Sequence, residues 1–74
     1  MTKTKWSAGI DIGGTKINVA AVDAQGQLLQ AHILPIPSDK SVSTVQDNIY
    51  VALQKMEKSL GSAPEKIGVG IAGQ

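Results

Sequence analysis

A chain of 74 residues forms at most one small domain, too short to enclose the two-lobed cleft of most complete nucleotide-using enzymes. Seven lysines, no arginine and six acidic residues give a net charge of +1 without a basic stripe, which argues against nucleic-acid binding. Cysteine is absent and no apolar run approaches the roughly 20 residues that span a bilayer, so we expect a cytoplasmic protein without disulfides or membrane contact.

Two predicted strands at the start of the chain are joined by a glycine turn. The apolar run Trp6–Ile12 ends at two glycines, which is typical of a buried strand. Alternating side chains over Lys16–Asp23 predict a second strand whose apolar face begins with Ile17. Gly13 and Gly14 fit the type I′ or II′ turn of a short hairpin, in which glycine supplies a positive φ.

A third predicted strand follows a second turn. Residues 23–26 have the composition of a tight turn that Gly26 closes with a positive φ, and residues 27–34 follow as a strand. Pro35 and Pro37 are expected to end this strand, because neither residue can donate a backbone hydrogen bond to a neighbouring strand.

A helix is predicted from its periodic apolar face. Ser43 and Gln46 have capping-box spacing, so we expect the helix to begin near Thr44. Gly61 is a natural stop, and Lys58 complements the helix dipole in the last turn. The face is formed by apolar residues at three- and four-residue steps: Val45, Ile49, Ala52, Leu53, Met56 and Leu60.

A fourth strand over residues 66–72 completes a predicted β-β-β-α-β order. The first three strands are expected to form an antiparallel meander, and a right-handed crossover through the helix returns the chain parallel to the first strand. The predicted fold class is therefore α/β, a mixed sheet with one helix. Because the fourth strand would leave an open apolar edge, we expect self-association or marginal folding of the isolated chain.

The residues around the first turn carry the chemistry of the chain. The hairpin tip carries a carboxylate, two glycines without side chains, a hydroxyl and an ammonium. These groups belong to Asp11, Gly13, Gly14, Thr15 and Lys16. Successive N–H groups in a glycine turn form an anion-binding concavity, to which Lys16 adds a positive charge. Asp11 alone would repel a phosphate, but a divalent cation between the two anions accounts for it, since hard cations prefer oxygen ligands. The pattern predicts a site for nucleotide phosphates and Mg²⁺.

The alternative interpretation is a tight turn whose glycines serve geometry alone, with Asp11 and Lys16 as solvated charges. That alternative gives no reason for an acidic residue within a strand predicted to be buried, where an unpaired charge is costly. Four other residues are interpreted structurally rather than as ligands: Asp23 in its turn, His32 on an edge strand, and Trp6 and Tyr50 in packing.

Three segments together resemble a known family. The segments are Gly-Ile-Asp-Ile-Gly-Gly-Thr-Lys at residues 9–16, Ala-Val-Asp at residues 21–23 and Gly-Val-Gly-Ile-Ala-Gly-Gln at residues 68–74. They resemble the opening of ROK-family sugar kinases. The resemblance covers essentially the whole chain. It implies the start of a ribonuclease-H-like lobe of the actin/hexokinase/Hsp70 ATPase superfamily. Residues 1–74 would then be a partial N-terminal lobe of a longer, two-lobed kinase.

The resemblance also implies ligands and roles. The cofactors would be ATP and Mg²⁺, the substrate a hexose or amino sugar, and the parent protein a homo-oligomer. Asp11 is expected to hold Mg²⁺ through a water. Gly13, Gly14 and Thr15 are expected to offer backbone N–H or hydroxyl groups to the ATP phosphates, and Lys16 is expected to lie close by.

Other parts of the family pattern lie beyond this sequence. The resemblance implies a catalytic aspartate, a His/Cys zinc motif and an adenosine motif further along the parent, so no catalytic residue is assigned here. The chain alone is expected to be inactive. Gly73 matches a family glycine loop near the sugar, whereas Gln74 stands where many relatives have Pro-Gly, so Gln74 receives no ligand contact.

Three alternatives to a sugar kinase remain open at the level of sequence. Sugar-responsive ROK repressors carry a helix-turn-helix domain ahead of the hairpin, whereas eight residues precede Gly9 here. Another ATPase of the superfamily, such as an activator of radical dehydratases, would carry a cysteine pair further along. A small α/β module without a ligand would not be stabilised by a Mg-ATP analogue.

Overall fold

The computed structural model describes residues 4–36, 38 and 41–71. Strands β1 (Trp6–Ile12), β2 (Lys16–Asp23) and β3 (Leu28–Pro35) are followed by helix α1 (Val42–Leu60) and strand β4 (Ile67–Ile71), which confirms the predicted order. β3 is shifted one residue from its predicted bounds, and β4 lies within the predicted residues 66–72, of which residue 72 is outside the described part. No helix within the described ranges is long and apolar enough to cross a membrane.

The four strands form one mixed sheet in the order β3-β2-β1-β4. β1 and β3 both pair antiparallel with β2, and β4 pairs parallel with β1. The antiparallel meander and the return of the chain through α1 to a strand parallel to β1 are therefore as predicted. The register of the first hairpin sets Ile12 opposite Ile17 and Asp11 opposite Asn18.

The hydrophobic core lies between one face of the sheet and α1. Side chains alternate along a strand, so every second residue of β1 and β2 turns toward the helix. The predicted helix face is confirmed, since its remaining members pack against this core. Burial of each large aliphatic side chain contributes about 1.5–3 kcal/mol. The buried residues are Trp6, Ala8, Ile10, Ile17, Val19, Ala21, Ala52 and Met56.

The helix begins two residues earlier than the capping-box pattern predicts. Ser41 is the N-cap, with extended backbone angles (φ −71°, ψ 131°), and its Oγ accepts a hydrogen bond from the Thr44 N–H at 3.3 Å. Ser43 lies inside the first turn, so the prediction from Ser43 and Gln46 is wrong. The predicted stop is confirmed, because Gly61 has a left-handed φ of 82°.

Trp6 fastens the loop after α1 to the start of the sheet. Its indole Nε1 donates to the Ser62 carbonyl at 2.9 Å, and its own carbonyl accepts from the Glu65 N–H at 2.8 Å. The Ser62 hydroxyl donates to the Thr4 carbonyl. The predicted packing role of Trp6 is confirmed. Tyr50, for which packing in the core or at an interface was predicted, is 62% exposed and lies outside the core.

The second turn has the predicted geometry. Gly26 has a φ of 81° and donates its N–H to the Asp23 carbonyl at 3.0 Å. The Asp23 carboxylate accepts from the N–H groups of Gln25 and Gln27, each at 2.9 Å. This confirms Asp23 as a turn-forming aspartate, because its side chain replaces backbone partners within the turn.

The N-cap gives a direct test of the helix start. We expect Ser41→Ala to lower the free energy of unfolding by about 0.5–2 kcal/mol, because the Thr44 N–H loses its acceptor. Ser43→Ala is the control: it removes the exposed hydrogen bond of 2.9 Å between the Ser43 and Ser41 hydroxyls but leaves the acceptor of the Thr44 N–H in place, so it should change the free energy of unfolding by less than about 0.5 kcal/mol. Urea unfolding followed by circular dichroism measures both. A larger loss for Ser43→Ala would return the cap to the position predicted from sequence.

Candidate phosphate and magnesium site

The loop between β1 and β2 is closed by two backbone hydrogen bonds. The Gly13 N–H donates to the Lys16 carbonyl at 2.9 Å. The Ile36 N–H donates to the Thr15 carbonyl at 3.4 Å, which ties the loop to the residue that follows β3. The tip of the hairpin is therefore held from within and from the neighbouring strand.

The turn type predicted for this loop is wrong. Among the glycines that the structure describes, only Gly26 and Gly61 have a positive φ, so Gly13 and Gly14 do not form a type I′ or II′ turn. Because Gly13 pairs with Lys16, the centre of the turn falls on Gly14 and Thr15. Space at Gly13 is tight instead, since a Cβ there would lie 3.1 Å from the Lys16 carbonyl oxygen.

Asp11 lies on the face of the sheet away from α1 and is exposed. The apolar run of β1 predicts a buried strand around this carboxylate, and that prediction is wrong for Asp11. β1 buries the side chains that face the helix, and the residues between them face open surface. Asp11 therefore has no desolvation cost within this chain, and the residues beside it decide what it can bind.

Asp11 has a polar residue beside it on β2 and a glycine beside it on β4. Asn18 of β2 and Gly70 of β4 are the cross-strand partners of Asp11. Gly9 and Gly68 share this face, and a Cβ added to Gly9, Gly68 or Gly70 would meet nothing within 4 Å. Asp11 thus stands beside a strip of exposed backbone that a ligand can approach without meeting a side chain.

The charged and polar groups of the hairpin are free to bind. The side chains of Asp11 and Lys16 make no hydrogen bond or ion pair with another described residue. The N–H groups of Gly14 and Thr15 likewise have no backbone partner in the described part of the chain. By contrast, the Gly13 N–H is already occupied. Gly14, Thr15 and Lys16 are all exposed.

The site is an open ledge rather than a cavity. An open groove of about 630 Å³, lined mainly by apolar side chains, lies between α1, β1 and β4, on the opposite face from Asp11. No cluster of three or more His, Cys, Asp or Glu side chains occurs among the described residues. A cation at this ledge would therefore take one protein carboxylate and draw its other ligands from water or a bound anion.

Asn18 is the residue at this site that sequence reasoning missed. It is half-buried, lies opposite Asp11, and places an amide next to the carboxylate. Lys16 and Asn18 are two residues apart in β2, so their side chains lie on the same face of the sheet. Asp11 is paired with Asn18 and lies on that face too, so the ammonium, the amide and the carboxylate share one surface. The sequence signal that would have identified Asn18 is the hairpin register, because a turn centred on Gly14 and Thr15 pairs Asp11 with Asn18. Gly73 and Gln74 lie outside the described residues.

Comparison with known proteins places the chain in a family. Residues 7–74 match the ROK family. The chain belongs to the ROK family. Glucokinases of Streptomyces coelicolor and Streptomyces lividans are each 35% identical to it over 65 residues, which cover 88% of this chain and 19% of theirs.

A solved ROK structure has the same fold. A ROK family glucokinase from Streptomyces griseus, in complex with glucose and AMPPNP, matches with a TM-score of 0.73 and 32% identity. The match covers 92% of this chain and 20% of that chain, so this ROK chain spans about a fifth of the length of these relatives. The mixed sheet with one helix thus confirms the predicted start of an actin-like ATPase lobe.

Paired glycine substitutions test the geometry of the loop. Gly13→Ala should lower the free energy of unfolding by about 1 kcal/mol, because its Cβ would press on the Lys16 carbonyl oxygen. Gly14→Ala should change it by less than about 0.5 kcal/mol, because its Cβ would meet open space. Thermal unfolding of both variants measures the difference. The reverse order of stabilities would show that the turn is not centred on Gly14 and Thr15.

Proposed function

We propose that this chain is the phosphate- and Mg²⁺-binding part of a longer, two-lobed, ATP-dependent sugar kinase that acts on a hexose. The observation that carries the proposal is the hairpin ledge, where backbone donors and a carboxylate that have no partner among the described residues share one exposed surface. The matched relatives support the reaction class, since they are glucokinases and the solved one holds glucose and a nucleotide analogue.

The phosphate contacts are assigned to the residues at the centre of the turn. Gly14 and Thr15 each offer a backbone N–H without a partner among the described residues, and Thr15 adds its hydroxyl. Lys16 supplies a positive charge from the start of β2. Gly13 lines the site and keeps the Lys16 carbonyl in place, so its part is geometric. Charge-assisted hydrogen bonds of about 1.5–3 kcal/mol each would orient a triphosphate here.

The magnesium role is assigned to Asp11. A single exposed carboxylate suits Mg²⁺, which keeps several waters and is commonly held by one or two carboxylates together with substrate phosphates. The exposed backbone at Gly70 leaves room for those waters beside Asp11. Asn18 is assigned a positioning role, because its amide can donate to the carboxylate and hold it toward the cation.

The bound ion would neutralise charge on the transferred phosphoryl group, as in phosphoryl transfer generally. The hairpin residues of this chain position the triphosphate and offset its charge. We assign no proton acceptor for the sugar hydroxyl to this chain, and place that group elsewhere in the parent kinase. The 74 residues alone are therefore proposed to bind phosphate without turnover.

Two aspartates at strand ends provide a matched test in the parent kinase. We expect Asp11→Asn to lower kcat by about 10²–10³, because the cation loses its anionic protein ligand. Asp23→Asn should leave kcat within about twofold, since the Asp23 side chain accepts hydrogen bonds within its own turn. Coupled assays with glucose and Mg-ATP measure both rates. Full activity in Asp11→Asn would remove the metal role from this residue.

A further inference from the structure

The chain that leaves β3 is attached to the loop between β1 and β2. The Ile36 N–H donates to the Thr15 carbonyl at 3.4 Å, one pair beyond Lys16 and Pro35, the last partners in the β2–β3 register. The Ile36 side chain is partly buried and packs against the hydrophobic core. One residue therefore connects the tip of the hairpin to the core.

Two prolines flank this donor without removing a bond to β2. In an antiparallel ladder, hydrogen-bonded pairs alternate with non-hydrogen-bonded pairs. Because Ile36 is bonded to Thr15, Pro35 lies at a non-hydrogen-bonded position opposite Lys16, where a missing N–H costs no bond to β2. A proline disfavours helical backbone at the residue before it, so Pro37 favours the extended geometry that pairing requires of Ile36. The sequence Pro-Ile-Pro therefore keeps one donor for the hairpin loop and restricts the backbone around it.

The hairpin loop is held on both sides of its centre. The Gly13 N–H is bonded to the Lys16 carbonyl at 2.9 Å, and the Thr15 carbonyl is bonded to Ile36. The N–H groups of Gly14 and Thr15 belong to the two peptide units between these hydrogen bonds. Glycine backbone samples a wide range of conformations unless its neighbours restrict it. The bond from Ile36 therefore limits the directions in which the two free donors can point.

We propose that Ile36 is a positioning residue for phosphate binding, an inference that rests on the function proposed above. Its N–H holds the Thr15 carbonyl, so the donors of Gly14 and Thr15 are oriented before the triphosphate binds. Binding to an ordered loop loses less conformational entropy than binding to a mobile one, so this bond raises the affinity for Mg-ATP. Ile36 acts without touching the phosphates, since its side chain packs on the core and its N–H is engaged by Thr15.

The length of the bond sets the size of the expected effect. At 3.4 Å it is longer than the usual range of about 2.7–3.2 Å between a backbone nitrogen and its acceptor oxygen. A neutral hydrogen bond within a protein typically changes an equilibrium constant by about three- to tenfold. Loss of the Ile36 donor should therefore weaken Mg-ATP binding by about threefold, at the lower end of that range.

Replacement of one backbone N–H by oxygen tests the proposal in the parent kinase. The α-hydroxy acid analogue of isoleucine at position 36 forms an ester in place of the amide, so the donor is lost and the side chain is kept. The KM for Mg-ATP should rise about threefold, whereas the KM for glucose should be unchanged. A purely structural role would lower the melting temperature and kcat without changing the KM for Mg-ATP.

The same ester at Ile33 is the matched control. Ile33 lies on β3 opposite Asn18, at a non-hydrogen-bonded position by the same alternation, so its N–H faces away from β2. This ester should leave the KM for Mg-ATP unchanged. An equal rise for the esters at Ile33 and Ile36, or an equal rise in the KM for glucose, would show that the effect is not specific to the hairpin loop and would overturn the proposal.

Asp11→Asn in the same assay separates this inference from the proposed function. If Asp11→Asn lowers kcat while the ester at Ile36 leaves the KM for Mg-ATP unchanged, the positioning role fails and the phosphate site stands. If neither change alters the kinetics, the proposed function and the positioning role both fail. A rise in the KM for Mg-ATP with the ester at Ile36 alone supports the positioning role.

Discussion

The register of the β1–β2 hairpin is the constraint on which the rest of the molecule depends. Pairing Ile12 with Ile17 sends one set of alternate side chains to α1 and the other set to the open face. A one-residue slip would reverse both sets, exposing the core and burying Asp11. Burial of Ile17 and Val19, both inaccessible to solvent, is what holds this register.

The same register builds the candidate site. It sets Asp11 beside Asn18, and it puts the centre of the turn at Gly14 and Thr15, whose backbone N–H groups have no backbone partner among the described residues. Because Asp11 and Lys16 belong to paired strands and Thr15 is tied to Ile36, the core rigidly supports the ledge. Precise positioning of charged groups is what a phosphate site requires, so the fold and the proposed function share one cause.

The sequence predicted the large elements because their periodic signals are strong. The helix face through Met56 and the glycine stop at Gly61 could be located from spacing alone. The N-cap could not, because Ser41 and Ser43 are both good capping residues and the choice depends on where the chain leaves the sheet.

The hairpin centre was misplaced by one residue for a similar reason, since two adjacent glycines allow either register. Asn18 was missed because its nearness to Asp11 is a cross-strand relationship that spacing does not show. The burial expected for Asp11 was wrong because an apolar run hides which of its two faces is covered.

Paramagnetic NMR of the isotope-labelled chain tests the central claim most directly. Mn²⁺ would replace Mg²⁺ in the presence of inorganic tripolyphosphate, and the amide signals that broaden mark the position of the ion. We expect broadening to be strongest at Asp11, Gly14 and Thr15 and to be lost in Asp11→Asn. Broadening centred on another carboxylate, such as Asp23 or Asp47, or unchanged in Asp11→Asn, would contradict it.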